Sequence, residues 1–534
     1  MSKFNRPGVR AAGGTSPIQT TDPAPTGNAH GAPGFLFGSK GELFRLAVAN
    51  FVSEKTFYED GGARDERYAA LVREVAVGDP AWMTSFLGWL RNDANMRSAS
   101  LVGAIEAARA LLAAGLPGGR QIVASVLQRA DEPGEALAYH LAQHGRDVPK
   151  SIKRGIADSL GRLYSEYTLL KYDTASHGFR FGDVIELTHP DPADAHQSAV
   201  YRAAMARRRG KAEELSDHLP MLMANRQIRN LVAAGQTRFL LDTGQLREAG
   251  MTWEDALSLA GNRVDKGQLW DALIPTMSVM ATIRNLRNFD GAGISAESEA
   301  RVIAKLTDPQ QIARSRQFPF RFYAAYLATK DSLRWSHPLE KALGHSLANV
   351  PALAGRTLVL VDQSPSMWPG YGMKMVRSDM VNADLAKLFG SALALRAERA
   401  DLVQYGGTSA AVPFRKGDSV LRTMGKFRQI NATDTVGAIA RHLRLGTHAG
   451  QREAHDRIVI VTDEQNQHSN YGTLDDVTPR NVPVYVWNIG GYRVGTLATG
   501  RDRHSFAGLT DHAFRMIPAL EAGQTGRWPW EQDG

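Results

Sequence analysis

One change of hydrophobic period, close to Pro351, constrains this chain more than any other feature. From Phe35 to about Leu347, apolar residues recur at intervals of three and four, the spacing that keeps one helical face on a core. Helix-stopping residues cut the pattern repeatedly. Leu101, Ile105, Ala108 and Leu112 follow a cap at Ser98 or Ser100 and stop at Gly115 and Pro117; residues 221–234 stop at Gly235, and residues 253–260 at Gly261. Pro275 is expected to open a further helix that reaches Asn288. So many consecutive short helices exceed what one bundle core can cover. The expected architecture is an α-helical, HEAT-like array of hairpins stacked pairwise.

Beyond Pro351 the pattern becomes apolar and β-branched. Residues 356–361 (RTLVLV) end at Asp362, residues 457–462 (RIVIVT) end at Asp463, and residues 401–405 and 482–489 read as further strands. Helical stretches at 383–396 and around 436–443 separate them. Apolar strands alternating with helices predict an α/β, doubly wound parallel sheet. The expected domains are therefore a flexible tail at 1–33, rich in Gly, Pro, Thr and Ala, a helical domain at 34–350 and an α/β domain at 351–534.

Composition narrows the chemistry. None of the 534 residues is cysteine, which excludes disulfides, thiol nucleophiles and thiolate metal sites, so any metal must sit on oxygen or imidazole. The net charge of +8 leaves room for a polyanionic partner. The N-terminus is basic but lacks an apolar run behind it, and no long uncharged apolar stretch follows. A cytoplasmic protein without a membrane partner is expected.

In an open α/β sheet, ligands bind beyond the carboxyl ends of the strands. Asp362, Ser364 and Ser366 alternate at one such end, Asp463 stands at another, and Thr433 precedes a helix between them. Carboxylates and hydroxyls form an all-oxygen donor set that suits a hard divalent ion, Mg²⁺ before others. This D-x-S-x-S…T…D order resembles the metal-ion-dependent adhesion site of von Willebrand factor A domains. The resemblance implies Asp362, Ser364 and Ser366 near the ion, Thr433 and Asp463 acting directly or through water, and an open position for a partner's carboxylate.

The helical half carries a second resemblance. Gly155-Ile156-Ala157-Asp158, Leu170-Lys171-Tyr172 and Asp183-Val184-Ile185-Glu186-Leu187-Thr188-His189-Pro190 are similar to the corresponding run of the Ro autoantigen family, the TROVE-domain RNA-binding proteins. So are Trp270-Asp271-Ala272-Leu273-Ile274-Pro275, Arg284-Asn285-Leu286 and Phe318-Pro319-Phe320. The order holds from about residue 35 to residue 520, and the chain looks like a bacterial Ro homologue. The resemblance implies a ring of helical hairpins closed by the A domain. It implies a monomer that binds small noncoding Y-like RNAs on an outer basic surface and takes single-stranded 3′ ends of misfolded or structured RNAs into a central hole. Quality control of noncoding RNA and delivery to a 3′-5′ exoribonuclease such as polynucleotide phosphorylase follow from it. In that family a Lys before Tyr and the His of the Leu-Ser/Thr-His element contact Y RNA, which match Lys171 and His189. The family's Arg after the Lys-Tyr pair is replaced here by the stretch Asp173 to Ser176, with Arg180 available as a substitute.

Read without the family, these residues are open to plainer accounts. Lys171 can be a solvated surface lysine and His189 a turn residue before Pro190. Further basic candidates are Lys150, Lys153 and Arg154, then Arg207 and Arg208, and the pairs Arg226 with Arg229 and Arg284 with Arg287, three residues apart on one helical face. That spacing fits a phosphate track or ion pairs within the domain. No nucleophile stands beside a base and no Walker-type loop is present, so a binding protein is expected in place of an enzyme. The competing reading is a metal-dependent protein-interaction module that partners an AAA+ ATPase.

Overall fold

Leu358, Val359, Leu360 and Val361 are fully buried, because the strand they form has a neighbour on each edge and cover on both faces. The computed structural model describes residues 25–27, 33–36, 38–49, 61–94, 96–174, 178–212, 215–315, 317, 319–350, 352–368, 381–445, 454–490, 494–497, 502–507, 517–518, 521, 528 and 530. Its strands are β1 (Pro25–Gly27), β2 (Pro33–Leu36), β3 (Leu353–Asp362), β4 (Ala397–Tyr405), β5 (Ser409–Ala411), β6 (Arg457–Thr462), β7 (Val484–Asn488), β8 (Val494–Gly495) and β9 (Arg503–Ala507).

Six strands form the main sheet in the order β5-β4-β3-β6-β7-β9, with every pair parallel except β4 with β5. Strand order reverses around β3, which is the doubly wound arrangement expected from the alternation of apolar strands and helices. On one face Leu358, Leu360, Ile458, Ile460, Val484 and Val486 pack with Val436 and Ile439 of the helix Thr435–His442. On the other lies the helix Asn382–Arg396, whose Gly390 sits so close to the sheet that a Cβ there would come within 2.2 Å of Val361. Burying one such aliphatic side chain contributes roughly 1.5–3 kcal/mol. β5 is an edge of only three residues, followed by Val412 and Pro413.

The chain divides into two compact units, and the division does not simply follow chain order. Of the described residues, one takes those within 100–317 and 325–342; the other takes those within 25–99, 319–324 and 343–530. The helices Ser39–Ala49, Gly61–Gly78 and Pro80–Asn92, expected with the helical half, group with the sheet because the first packs on β9 and Arg64 of the second donates to the Gly490 carbonyl at 2.7 Å. Part of the tail expected at 1–33 also departs from expectation: β1 pairs with β2, which pairs with β8. Residues 1–24 lie outside the described residues.

The helical unit is built from consecutive short helices that pack on one another, as the helical period predicts. Lys150–Leu163 lies on Gly119–Val126 with Gly155 at the crossing, where a Cβ would stand 2.6 Å from the Arg120 carbonyl oxygen. Ala195–Arg208 packs on Phe181–Thr188 in the same way. Two helix starts differ from the sequence expectation. Ser98 and Ser100 fall inside the helix Arg97–Ala113, so neither caps it. Pro275 lies in a 3-10 turn, Ile274–Thr276, and the next helix begins at Val279 because Ser278 accepts the free Ala281 N–H at 3.3 Å. Among the described residues, no helix is long and apolar enough to cross a membrane.

Candidate functional site

Two sites merit description, one in each unit. In the sheet unit, β3 ends at Asp362 beside the end of β6, and both of its carboxylate oxygens are engaged: Oδ1 accepts the Ser364 N–H at 2.8 Å and Oδ2 accepts the Thr462 hydroxyl at 2.7 Å. The Ser364 and Ser366 hydroxyls lie 3.3 Å apart. Asp463 Oδ1 accepts the Gln465 N–H at 3.3 Å, while Asp463 Oδ2 is buried with no hydrogen-bond partner. Burial pushes the Asp463 carboxyl up to about 7, and the nearby charge of Asp362 adds to the effect. Burial raises Asp362 as well.

Two buried, mutually repelling carboxylates, one with an unsatisfied oxygen, are costly unless a cation neutralises them. The donors here are hard oxygens, and they fit a divalent ion that also takes hydroxyls and water. Among the described residues no group of three or more His, Cys, Asp and Glu is placed to hold a metal, so an ion here would rest on two carboxylates with hydroxyls beside them. Thr433 is buried, and its carbonyl accepts the Gln467 N–H at 3.0 Å, which ties its loop to the segment after Asp463. Sequence reading missed Thr462, whose role depends on β6 lying beside β3.

In the helical unit, a cleft of about 930 Å³ opens between the helix Glu166–Tyr172, Met221 of Pro220–Ala233, the start of Trp253–Ala260 and the start of Val279–Ala292. Lys171 is exposed within it, with its ammonium 5.2 Å from the Tyr172 ring centre and 5.5 Å from that of Tyr167. Burial draws that ammonium down, but the Tyr172 and Tyr167 hydroxyls outweigh it and hold Lys171 above the usual lysine range. Arg129, whose guanidinium lies 5.4 Å from the Tyr172 ring centre, pairs with Asp131 at 2.8 Å. Arg247 and Arg284 line the cleft too, both exposed. The helices capped by Thr252 and Ser278 begin at its wall, so the positive ends of two helix dipoles add to these charges. Apolar surface comes from Trp253, Met251, Met277 and Met280.

The remaining candidates are dispersed. His189 is exposed and ends the helix Phe181–Thr188 in a left-handed conformation, φ 48°, with its N–H on the Ile185 carbonyl at 2.9 Å. It lies outside the cleft lining. Arg180, the expected substitute, is drawn into structure by its pair with the buried Asp173 at 2.9 Å. Arg208 pairs with Asp183 at 2.5 Å and with Glu186, and Arg207 donates to the Leu169 carbonyl at 3.3 Å. Arg229 bonds Asn225 at 2.8 Å and Asp255 at 3.3 Å, which favours the ion-pair account for that residue, whereas Arg284 faces the cleft. Arg226 and Arg287 are exposed on the same helices as Arg229 and Arg284. Lys150 and Arg154 are exposed and Lys153 half-buried on the first turns of Lys150–Leu163, away from the cleft. Arg129, Arg247, Trp253 and Glu254 were not singled out as site residues from sequence. Only Trp253, an aromatic at a capped helix start, carried any local signal.

The family model for the TROVE domain matches residues 246–353, a stretch that begins at cleft residue Leu246, takes in the wall through Arg284 and ends at the first residue of β3. The chain carries a TROVE-domain match and shares the Ro fold. The crystal structure of the Deinococcus radiodurans RO (RSR) protein superposes with a TM-score of 0.61 at 18% identity, covering 90% of this chain and 100% of that one. A shorter stretch of the chain is similar to telomerase protein component 1 of Mus musculus, 43% identical over 77 residues, and to that of Rattus norvegicus, also 43% over 77 residues. Each of these spans 14% of this chain and only 3% of the relative.

Proposed function

We propose that this TROVE-domain protein binds RNA through its helical unit, with Y-like noncoding RNAs and the single-stranded 3′ ends of misfolded RNAs as ligands, and acts in noncoding RNA quality control upstream of a 3′-5′ exoribonuclease. The observation that carries the reading is the cleft, in which Lys171, Arg247 and Arg284 stand beside the Tyr167, Tyr172 and Trp253 rings. Cations there neutralise phosphates and rings stack on unpaired bases, a pairing that suits single strands better than duplex, whose bases are already stacked. In the sheet unit, Asp362, Ser364, Ser366, Thr433 and Asp463 would hold Mg²⁺. Such an ion supplies charge neutralisation and a position for a partner's carboxylate. The A-domain-like unit then serves protein docking while the helical unit holds RNA.

Salt titration tests the RNA reading. With about three phosphates neutralised on a single strand, log affinity should fall with log salt at a slope of roughly −2, which is a loss of about tenfold or more between about 50 and 200 mM. A flat dependence in a gel-shift titration, or no shift with any single-stranded RNA, overturns it.

A further inference from the structure

The cleft contains one group that a general phosphate site should exclude. Glu254 is exposed at its wall, next to Trp253, and no ion pair neutralises it among the described residues. Its neighbour Asp255 is different, since Arg229 and the Thr252 hydroxyl both bond it. Glu254 stands in the first turn of its helix, where the dipole favours a carboxylate, yet on a wall shared with Lys171, Arg247 and Arg284 it weakens the hold on a polyanion, and a contact that brings donors would offset that loss. A nucleobase edge provides one. A carboxylate accepts only, through two oxygens side by side. Guanine alone presents two adjacent donors, its N1–H and its N2 amino group, and can satisfy both oxygens at once. Adenine and cytosine each offer one amino group next to a ring nitrogen that repels the carboxylate, and uracil offers a single N3–H between two carbonyls.

Trp253 is placed to support the same base. Its ring lies 5.9 Å from that of the buried Trp270, which in turn meets Phe289 edge-on at 5.0 Å, so the indole is backed by core and is not free to swing. Met251, Met277 and Met280 supply polarisable apolar surface around it. Below this wall Lys305 donates to the carbonyls of Ile274 at 3.1 Å and Met277 at 2.6 Å, fixing the turn that carries Met277. The wall is therefore set before a ligand arrives, and large flat purines gain most from stacking on it.

We infer that the cleft selects an unpaired guanine, stacked against Trp253 and read on its Watson–Crick edge by Glu254, with the flanking phosphates on Lys171, Arg247 and Arg284. This rests on the RNA-binding reading and names what that site prefers. The test uses the full chain and fluorescein-labelled nine-nucleotide RNAs: all uridine, the same with one central guanosine, and the same with inosine, which lacks the N2 amino group. Guanosine should tighten binding by about tenfold over uridine, in the range of a good paired base contact, with inosine between them. Glu254→Ala should abolish the preference, with an unchanged thermal midpoint showing that the variant is folded. Trp253→Ala should weaken all three strands. Equal wild-type affinity for uridine and guanosine strands, or a preference that survives Glu254→Ala, overturns base selection while leaving RNA binding intact. No binding to any strand overturns both.

Discussion

Arg180 and Asp173 form an ion pair at 2.9 Å in which the aspartate side chain is fully buried and the arginine is about a quarter exposed. Asp173 also accepts the Phe181 N–H at 2.9 Å, so one carboxylate anchors both the guanidinium and the start of the next helix. Arg180→Ala leaves that carboxylate buried without its charge partner, and breaking such a pair typically costs about 3–5 kcal/mol. The expected result is a lower urea midpoint, with RNA affinity per folded molecule unchanged. A loss of affinity at full stability would instead place Arg180 on the ligand.

Lys171 and Arg284 behave differently because neither is held in an ion pair among the described residues. Lys171→Ala and Arg284→Ala should each weaken single-stranded RNA binding by about fivefold or more and make the salt slope shallower by about one unit. Asp362→Ala, in the other unit, should leave affinity and slope unchanged. His189→Ala is expected to weaken Y-like RNA while sparing short unstructured strands, since His189 lies outside the cleft. Gel shifts with both ligand types separate these outcomes.

The carboxylate pair at the sheet's end predicts a metal-linked stability. The Asp463 carboxyl is raised to about 7 by burial and by Asp362, so in metal-free protein its ionisation is harder folded than unfolded. Stability of that form should decline as pH climbs from about 4 towards 7. Asp463→Asn removes the decline and raises metal-free stability by roughly 1–3 kcal/mol at neutral pH. Adding Mg²⁺ should lift the wild-type Tm, and the lift should be lost in Asp463→Asn. Thermal scans with chelator and with Mg²⁺ measure both effects.

Asp401 gives the opposite sign. The His455 hydrogen bond, at 2.5 Å, and the Arg356 guanidinium, at 2.9 Å, hold its carboxyl far below the usual carboxylate range. Arg444 N–H donates to His455 Nδ1 at 2.9 Å, which turns Nε2 towards Asp401. A depressed value means this group stabilises the fold fully above the ordinary carboxylate range and loses that contribution as pH falls below it. Asp401→Asn should therefore lower stability at neutral pH and flatten the acid limb of a urea-midpoint profile.

Much of this was legible in the sequence because period is a local property. The change near Pro351, the apolar runs ending at Asp362 and Asp463 and the glycine stops at Gly235 and Gly261 each depend on neighbours within a few residues. The three-residue β5, the pairing of β1 with β2 and β8, and the grouping of Ser39–Ala49 with β9 depend on segments far apart in the chain. The same distinction divides the sites. Asp362, Ser364 and Ser366 are adjacent in sequence and were readable together, whereas the cleft joins Arg129, Lys171, Arg247 and Arg284 across more than one hundred and fifty residues. Arg229 and Arg284 have the same local spacing pattern, and the partners Asn225 and Asp255 separate their roles.

The brevity of β5 has a consequence for how this protein tolerates crowding. An edge only three residues long, followed two positions later by a proline that has no amide hydrogen, gives an intruding chain very little backbone to hydrogen-bond. On that side the sheet offers little template for growth into intermolecular aggregates.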